Sequence, residues 1–202
     1  MAERSYRKLF WSLAATGLVL DQATKYGVFR WLYNGGAGGQ HEVVPGAFEL
    51  LARYTGQPGD TPLRTWSGDM MPEVNHGALF GFLSQHVALA NVLFAVISLV
   101  AAAAISWWSA KPSARRELGL SAALGLILAG TLGNLFDRLI FGGVRDFMHL
   151  HYQSFDWPVF NVADCCLVCG AFLLLGQAFF GKSGAHSPAT TPAPPQEMAE
   201  VR

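Results

Sequence analysis

Two aspartates lie where carboxylates are costly to place. Asp146 sits in Val144-Arg145-Asp146-Phe147, just past a long apolar segment. Asp164 sits in Phe160-Asn161-Val162-Ala163-Asp164, inside the start of the next one. On insertion scales a carboxylate at the centre of a membrane helix costs roughly 2.5–3.5 kcal/mol, and less near its end. Two of them close in sequence suggest a pair, and a carboxylate pair can activate water without a metal. In a low-dielectric cleft the two cannot both ionise readily, so they share a proton and titrate as a unit. The ionised partner takes a proton from water, which attacks a carbonyl. The protonated partner polarises that carbonyl and then helps the leaving amine depart. From this chemistry alone, an ion or proton pathway stays open beside catalysis.

Other polar groups fall near the same ends of the apolar segments. Asp21 and Lys25 are four apart on a predicted helix, so they share a face and can pair. Asn134, Asp137 and Arg138 stand at i, i+3 and i+4, and Asn161 and Asp164 at i and i+3. Polar faces in hydrocarbon turn toward protein or a wet cavity, and the simplest solution points these three at one another. Asp21–Lys25 and Asp137–Arg138 read as ion pairs that position the site. Holding helices together is the blander role. Interhelical hydrogen bonds contribute about 0.6 kcal/mol on average, too little to account for three carboxylates and two cations. Cys165, Cys166 and Cys169 share one apolar segment and read as small packing residues, not a disulfide framework or zinc site. His149 and His151 alternate on a possible strand and read as interfacial polar residues. No metal or cofactor is expected.

These residues need elements to hold them. Hydrophobic residues make up 51% of the 202 and charged residues 14%, which favours a membrane protein over a soluble domain, and a formal net charge of zero gives no reason to expect nucleic acid. Four segments, about 8–29, 87–108, 118–138 and 158–181, are near the 20 or so residues needed to span hydrocarbon. The first is read as a retained helix and not a signal peptide, because Asp21-Gln22 and Thr24-Lys25 stand where small cleavage-site residues would be. Arg4, Arg7, Lys8, Lys111, Arg115, Arg116 and Lys182 flank one set of segment ends. The positive-inside rule therefore puts both termini in the cytoplasm and Asp146 and Asp164 at the outer surface. The outer loop, 30–86, should carry short strands around Pro45-Gly46, with 56–73 an irregular solvated excursion; deleting Gln57 to Pro72 should change substrate affinity or turnover only modestly. Tyr152, Phe155, Trp157 and Phe160 suggest an interfacial aromatic belt. Residues 1–183 read as one membrane domain and 184–202, rich in Pro, Ala and Thr, as a disordered tail.

The motifs resemble the bacterial lipoprotein signal peptidases (signal peptidase II). Asp21-Gln22-Ala23-Thr24-Lys25 is similar to that family's D-Q-x-T-K element, and Val43 to Phe48 to its short outer strand. Asn75-His76-Gly77-Ala78-Leu79-Phe80-Gly81 resembles N-x-G-A-A-F-G, and Gly133 to Arg138 matches G-N-x-x-D-R. Val144 to Phe147 matches V-x-D-F, and Phe160 to Asp164 matches F-N-x-A-D. The resemblance, running from about 8 to 181, implies a membrane α-helical fold: four transmembrane helices, a small extracytoplasmic β-cradle and an interfacial helix. It implies an aspartic endopeptidase of the inner membrane that cuts diacylglyceryl prolipoproteins just before the lipidated cysteine. Asp146 and Asp164 would be the catalytic dyad. Asp21, Lys25, Asn75, Asn134, Arg138 and Asn161 would support it or position substrate. Prolipoproteins and membrane lipids would be the partners of a monomeric enzyme. Two departures stand out: His76 and Leu79 in the third motif, and the roughly twenty extra residues at 56–73. The rival readings are a small proton-coupled carrier and a non-catalytic assembly factor. A carrier would place polar groups near the midplane of several helices, and the second segment holds almost none.

Overall fold

The computed structural model describes residues 5–77 and 86–180. Four long helices form its frame: α1 (Arg7–Trp31), α3 (Val87–Ser109), α5 (Leu118–Phe141) and α6 (Val162–Phe180). Two four-residue helices, α2 (Pro62–Thr65) and α4 (Pro112–Arg115), lie between them. Strands β1 (Gly39–Val44), β2 (Phe48–Ala52), β5 (Met148–Tyr152) and β6 (Phe155–Asp156) make an antiparallel sheet in the order β1-β2-β5-β6. A second, two-stranded sheet pairs β3 (Tyr54–Pro58) with β4 (Met70–Pro72).

Among the described residues, α3, α5 and α6 are long and apolar enough to cross a membrane. At 1.5 Å per residue the 23 residues of α3 extend about 34 Å, slightly more than the hydrocarbon thickness. Leu89, Val92, Val96 and Val100 on α3 and Phe172, Leu175 and Phe179 on α6 are exposed, as lipid-facing side chains would be. By contrast α5 is the central helix, packed against α1, α3 and α6. Its glycines permit this. A Cβ on Gly130 would stand 2.3 Å from the Ala163 carbonyl oxygen, and one on Gly133 would stand 2.6 Å from Asp21 Oδ2.

On α1, Phe10, Ala14, Gly17, Asp21, Lys25 and Phe29 are buried, a single stripe at spacings of three and four. One end of the stripe is apolar, where Phe10 and Ala14 join Ala102, Ala114, Leu124 and Leu128. At the other end Phe29 packs with Ala52, Tyr54 and Phe147, seating the sheets against the helices. The stripe turns charged between these two clusters.

Three expected boundaries change. The third helix runs on to Phe141 and stops at Gly142, which takes the left-handed conformation (φ 76°) that glycine adopts without penalty. The last helix begins at Val162, because residues 158–161 stay extended: Phe160 exchanges two backbone hydrogen bonds with Met148, each 2.9 Å. The excursion at 56–73 is folded, with β3, α2 and β4 closing on themselves. Tyr54 donates its hydroxyl to the carbonyls of Phe29 and Ser67, tying this segment to α1, and Ser67 is fully buried. Leu79 and the tail lie outside the described residues.

Candidate active site

The extended chain leaving Gly142 brings Asp146 to the helix ends. Val144 pairs with Asn75 through two backbone hydrogen bonds of 2.7 and 2.9 Å. Phe147 is anchored in the core beneath the sheet. Between these anchors Asp146 accepts hydrogen bonds from Asn75 Nδ2 (3.0 Å, at Oδ2) and Asn161 Nδ2 (2.6 Å, at Oδ1). Burial pushes its carboxyl up to about 6 from the usual 3.8; the two amide donors pull it down and the charge of Asp164 adds to the rise.

Asp164 is fixed by its own helix. Asn161 Oδ1 accepts the Asp164 backbone N–H (3.0 Å), while Asp164 Oδ2 accepts the Asn161 N–H (3.2 Å). This reciprocal arrangement is a capping box, which satisfies two amides that the first turn of α6 leaves unpaired. Asp164 Oδ1 accepts from Asn134 Nδ2 on α5 (2.9 Å). Asn161 therefore serves both carboxylates, and its Nδ2 also reaches Asn134 Oδ1 (3.2 Å). Lys25 Nζ donates to the same Asn134 oxygen (3.3 Å). The structure thus brings Asp146, Asp164, Asn75, Asn134, Asn161 and Lys25 into one network.

Asp21 does more than pair with Lys25 (2.9 Å). Its Oδ1 accepts the Ala163 N–H (2.8 Å), so a carboxylate of α1 caps the start of α6, where the helix dipole favours negative charge. Asp137 does not pair with Arg138, the partner the sequence suggests. Adjacent helical residues point about 100° apart, and Asp137 faces inward to Arg145 (2.8 Å) and Lys25 (3.3 Å). Arg138 faces α3, over the ring of Phe94 at 5.2 Å, within electrostatic reach of Asp146 and Asp164. Its buried Nη1 has no hydrogen-bond partner among the described residues. With Asn91 it heads an apolar groove of about 400 Å³ between α3 and α5.

Arg145, Gln22 and Ser67 are site residues that sequence reasoning misses. Arg145 is fully buried and grips Asp137 through Nε (3.2 Å), Nη2 (2.8 Å) and its backbone N–H (2.8 Å). It also donates to Ser67 Oγ (3.0 Å) and Gln22 Oε1 (2.9 Å), and lies against the rings of Tyr26 and Phe141 at 4.2 and 4.0 Å. Gln22 Nε2 in turn meets Asp21, Asp137 and the Gly133 carbonyl. Two buried acids are thus matched by two buried cations. The signal for Arg145 is its place beside Asp146: on extended backbone neighbours point to opposite sides, so an Asp facing a cleft sends the preceding side chain into the core.

Asp146 opens onto a cavity of about 330 Å³, walled by Phe29, Leu51, Arg53, Glu73 and Pro158 among others. Two carboxylates linked through Asn161 at one end of a bundle of long apolar helices, beside a cavity of about 330 Å³, are the groups that a membrane-embedded hydrolase of the aspartic type requires. The family model described as signal peptidase (SPase) II matches residues 13–180, and the chain belongs to that family. It is 35% identical over 170 residues to the lipoprotein signal peptidase of Methylobacterium sp. (strain 4-46), covering 84% of this chain and 88% of that one. Over 182 residues it is 34% identical to the lipoprotein signal peptidase of Pseudomonas putida, covering 88% and 91%. Its fold is similar to a solved structure titled as a bacterial membrane enzyme, with a TM-score of 0.70 at 24% identity, over 95% of this chain and 99% of that one.

Proposed function

We propose that this chain is a membrane aspartic endopeptidase that removes the signal peptide of diacylglyceryl-modified prolipoproteins just before the lipidated cysteine. The observation that carries the reading is Asn161, whose one side chain holds both Asp146 and the amide of Asp164. Asp146 and Asp164 act as the dyad. Burial raises the Asp146 carboxyl to about 6, which makes it the readier of the two to take up the shared proton as substrate shields the cleft. Asp164 takes a proton from water as the water oxygen attacks the scissile carbonyl carbon. Asp146 gives its proton to the carbonyl oxygen to form a diol; the C–N bond then breaks as the proton held on Asp164 passes to the leaving amine and one diol hydroxyl returns its proton to Asp146. Asn75, Asn134 and Asn161 keep the carboxylates oriented, Lys25 and Asp21 hold Asn134 and the start of α6, and Arg138 faces the lipid-side groove beside substrate.

The same reading makes α1 a fourth span, with both termini cytoplasmic, the dyad toward the outer leaflet and α2 at the interface. It makes 1–183 one monomeric domain of the bacterial inner membrane, followed by a flexible tail. A carrier finds no support in the relatives' names. The deciding experiment compares Asp146→Asn and Asp164→Asn with the parent on a lipidated precursor. Both should lose cleavage while unfolding at the same temperature as the parent; turnover retained in either sinks the dyad assignment.

A further inference from the structure

A second cluster of ligand-type side chains lies on the sheet, apart from the dyad. Sequence alone reads His149 and His151 as polar residues of a strand, but the register adds two carboxylates. Glu49 on β2 is the direct cross-strand partner of His149, and Asp156 on β6 is that of His151. One ligand atom from each of Glu49, His149 and His151 lies within 4.8 Å of the others. The two imidazoles stand 5.1 Å apart, centre to centre.

His149 shows how the cluster is poised. Its Nε2 is 2.6 Å from Asp156 Oδ1 and its Nδ1 is 2.9 Å from Glu49 Oε1. A neutral imidazole has one N–H. When Nε2 donates to Asp156, the Nδ1 lone pair is available for ligation on the side where Glu49 Oε1 and the His151 ring stand. A carboxylate behind the far nitrogen of a histidine is how proteins orient metal-binding imidazoles. Both His149 and Glu49 are largely shielded, at 18% and 13% exposed, so a cation there would be only partly hydrated by solvent.

We propose that Glu49, His149 and His151 form a binding site for a borderline transition-metal ion such as zinc, with Asp156 orienting His149. Two imidazoles and one carboxylate suit zinc-like ions; magnesium and calcium prefer all-oxygen sets. Ligand atoms on a tetrahedral zinc sit about 3.4 Å apart for bonds of about 2.1 Å, so small side-chain rotations close the observed triangle. Glu49, His149 and Asp156 line a recess of about 330 Å³ that shares Leu51, Arg53, Pro158 and Val159 with the cleft at Asp146. An occupied site would pin β2, β5 and β6 together at the rim of that cleft.

The test titrates tag-free protein in detergent micelles with cobalt(II) at neutral pH and follows its d–d absorption. One equivalent should bind with the strong visible bands of four- or five-coordinate cobalt, zinc should displace it, and magnesium should not. His151→Ala and Glu49→Gln should each weaken binding at least about tenfold, and Asp156→Asn about 10–100-fold. Glu49→Gln keeps a side-chain acceptor at the strand pair, and its unfolding temperature without metal should match the parent, separating ligation from folding. Absence of stoichiometric binding, unchanged affinity in both ligand variants, or equal competition by magnesium would overturn the site.

Discussion

On the proposed dyad, Asp146 sets the pH dependence. Its carboxyl is raised from 3.8 to about 6, chiefly by burial, so the folded chain holds this proton more tightly than the unfolded one. Its contribution to stability is fully present below about pH 3.8 and is lost as pH rises through about 6. If the shared proton is needed for chemistry, kcat/KM should fall on the same upward passage. A profile flat from mildly acidic to alkaline pH would contradict this. Arg145 tests a different property. Replacing it with Met leaves Asp137 buried with Lys25 as its remaining cation, a change that typically costs about 3–5 kcal/mol. Arg145→Lys should not restore that loss, because a point charge cannot reproduce the fork that reaches Asp137, Ser67 and Gln22 at once. Denaturant unfolding in micelles checks both; a loss under about 1 kcal/mol would show that the buried charges are not coupled as described.

The helices explain why the polar residues cost so little where they are. Close approach of α5 to α1 and α6 buries the charged part of the α1 stripe against its partners, leaving no acid facing lipid there. Gly133 is one of these close contacts, and Gly133→Ala drives a methyl group into Asp21 Oδ2. That change should destabilise the bundle by about 1–3 kcal/mol and lower turnover with it, since Asp21 caps the helix that carries Asp164. An alanine variant with parental melting and activity would argue against that packing. The segment 56–73 belongs to the same scale. Ser67 binds Arg145, Arg64 Nε donates to the Ile140 carbonyl (2.6 Å), and Tyr26 donates to the Leu63 carbonyl (2.9 Å). Deleting it should therefore lower the unfolding temperature along with activity, a larger effect than a solvated loop would give. Ser67→Ala should cost about 1–3 kcal/mol by leaving one guanidinium N–H unmatched.

For the whole molecule, the arrangement favours a substrate that stays in lipid. On the proposed reading, peptide would enter the cleft from the side while acyl chains remain in the bilayer; extracting them would cost about 0.8 kcal/mol per CH₂. A lipidated precursor should therefore be cut far faster than the same precursor without its diacylglyceryl group, in a reconstituted cleavage assay. Equal rates would remove the lipid from the specificity. Much of this was legible beforehand. The long apolar helices, the strands around Pro45-Gly46 and the polar helical faces follow from runs of apolar residues and from polar residues recurring at three and four, whereas the dyad assignment and the role of Asn75 rest on the resemblance of the motifs. Asp137 was assigned the wrong partner, the excursion was taken for solvated loop, and Arg145 was given no role in the site.

The difference is physical. Periodicity is local, so the order of residues alone determined which segments are apolar, which faces carry amides and acids, and that Asp146 and Asp164 stand at neighbouring ends. Charge partners are not local. Asp137 finds Lys25 across 112 positions and Arg145 finds Ser67 across 78, through the rotation of α5 about its axis and the register of an extended chain. Only the tertiary structure decided that Asp21 caps α6, that Asn161 joins the two catalytic candidates, and that Glu49 lies opposite His149.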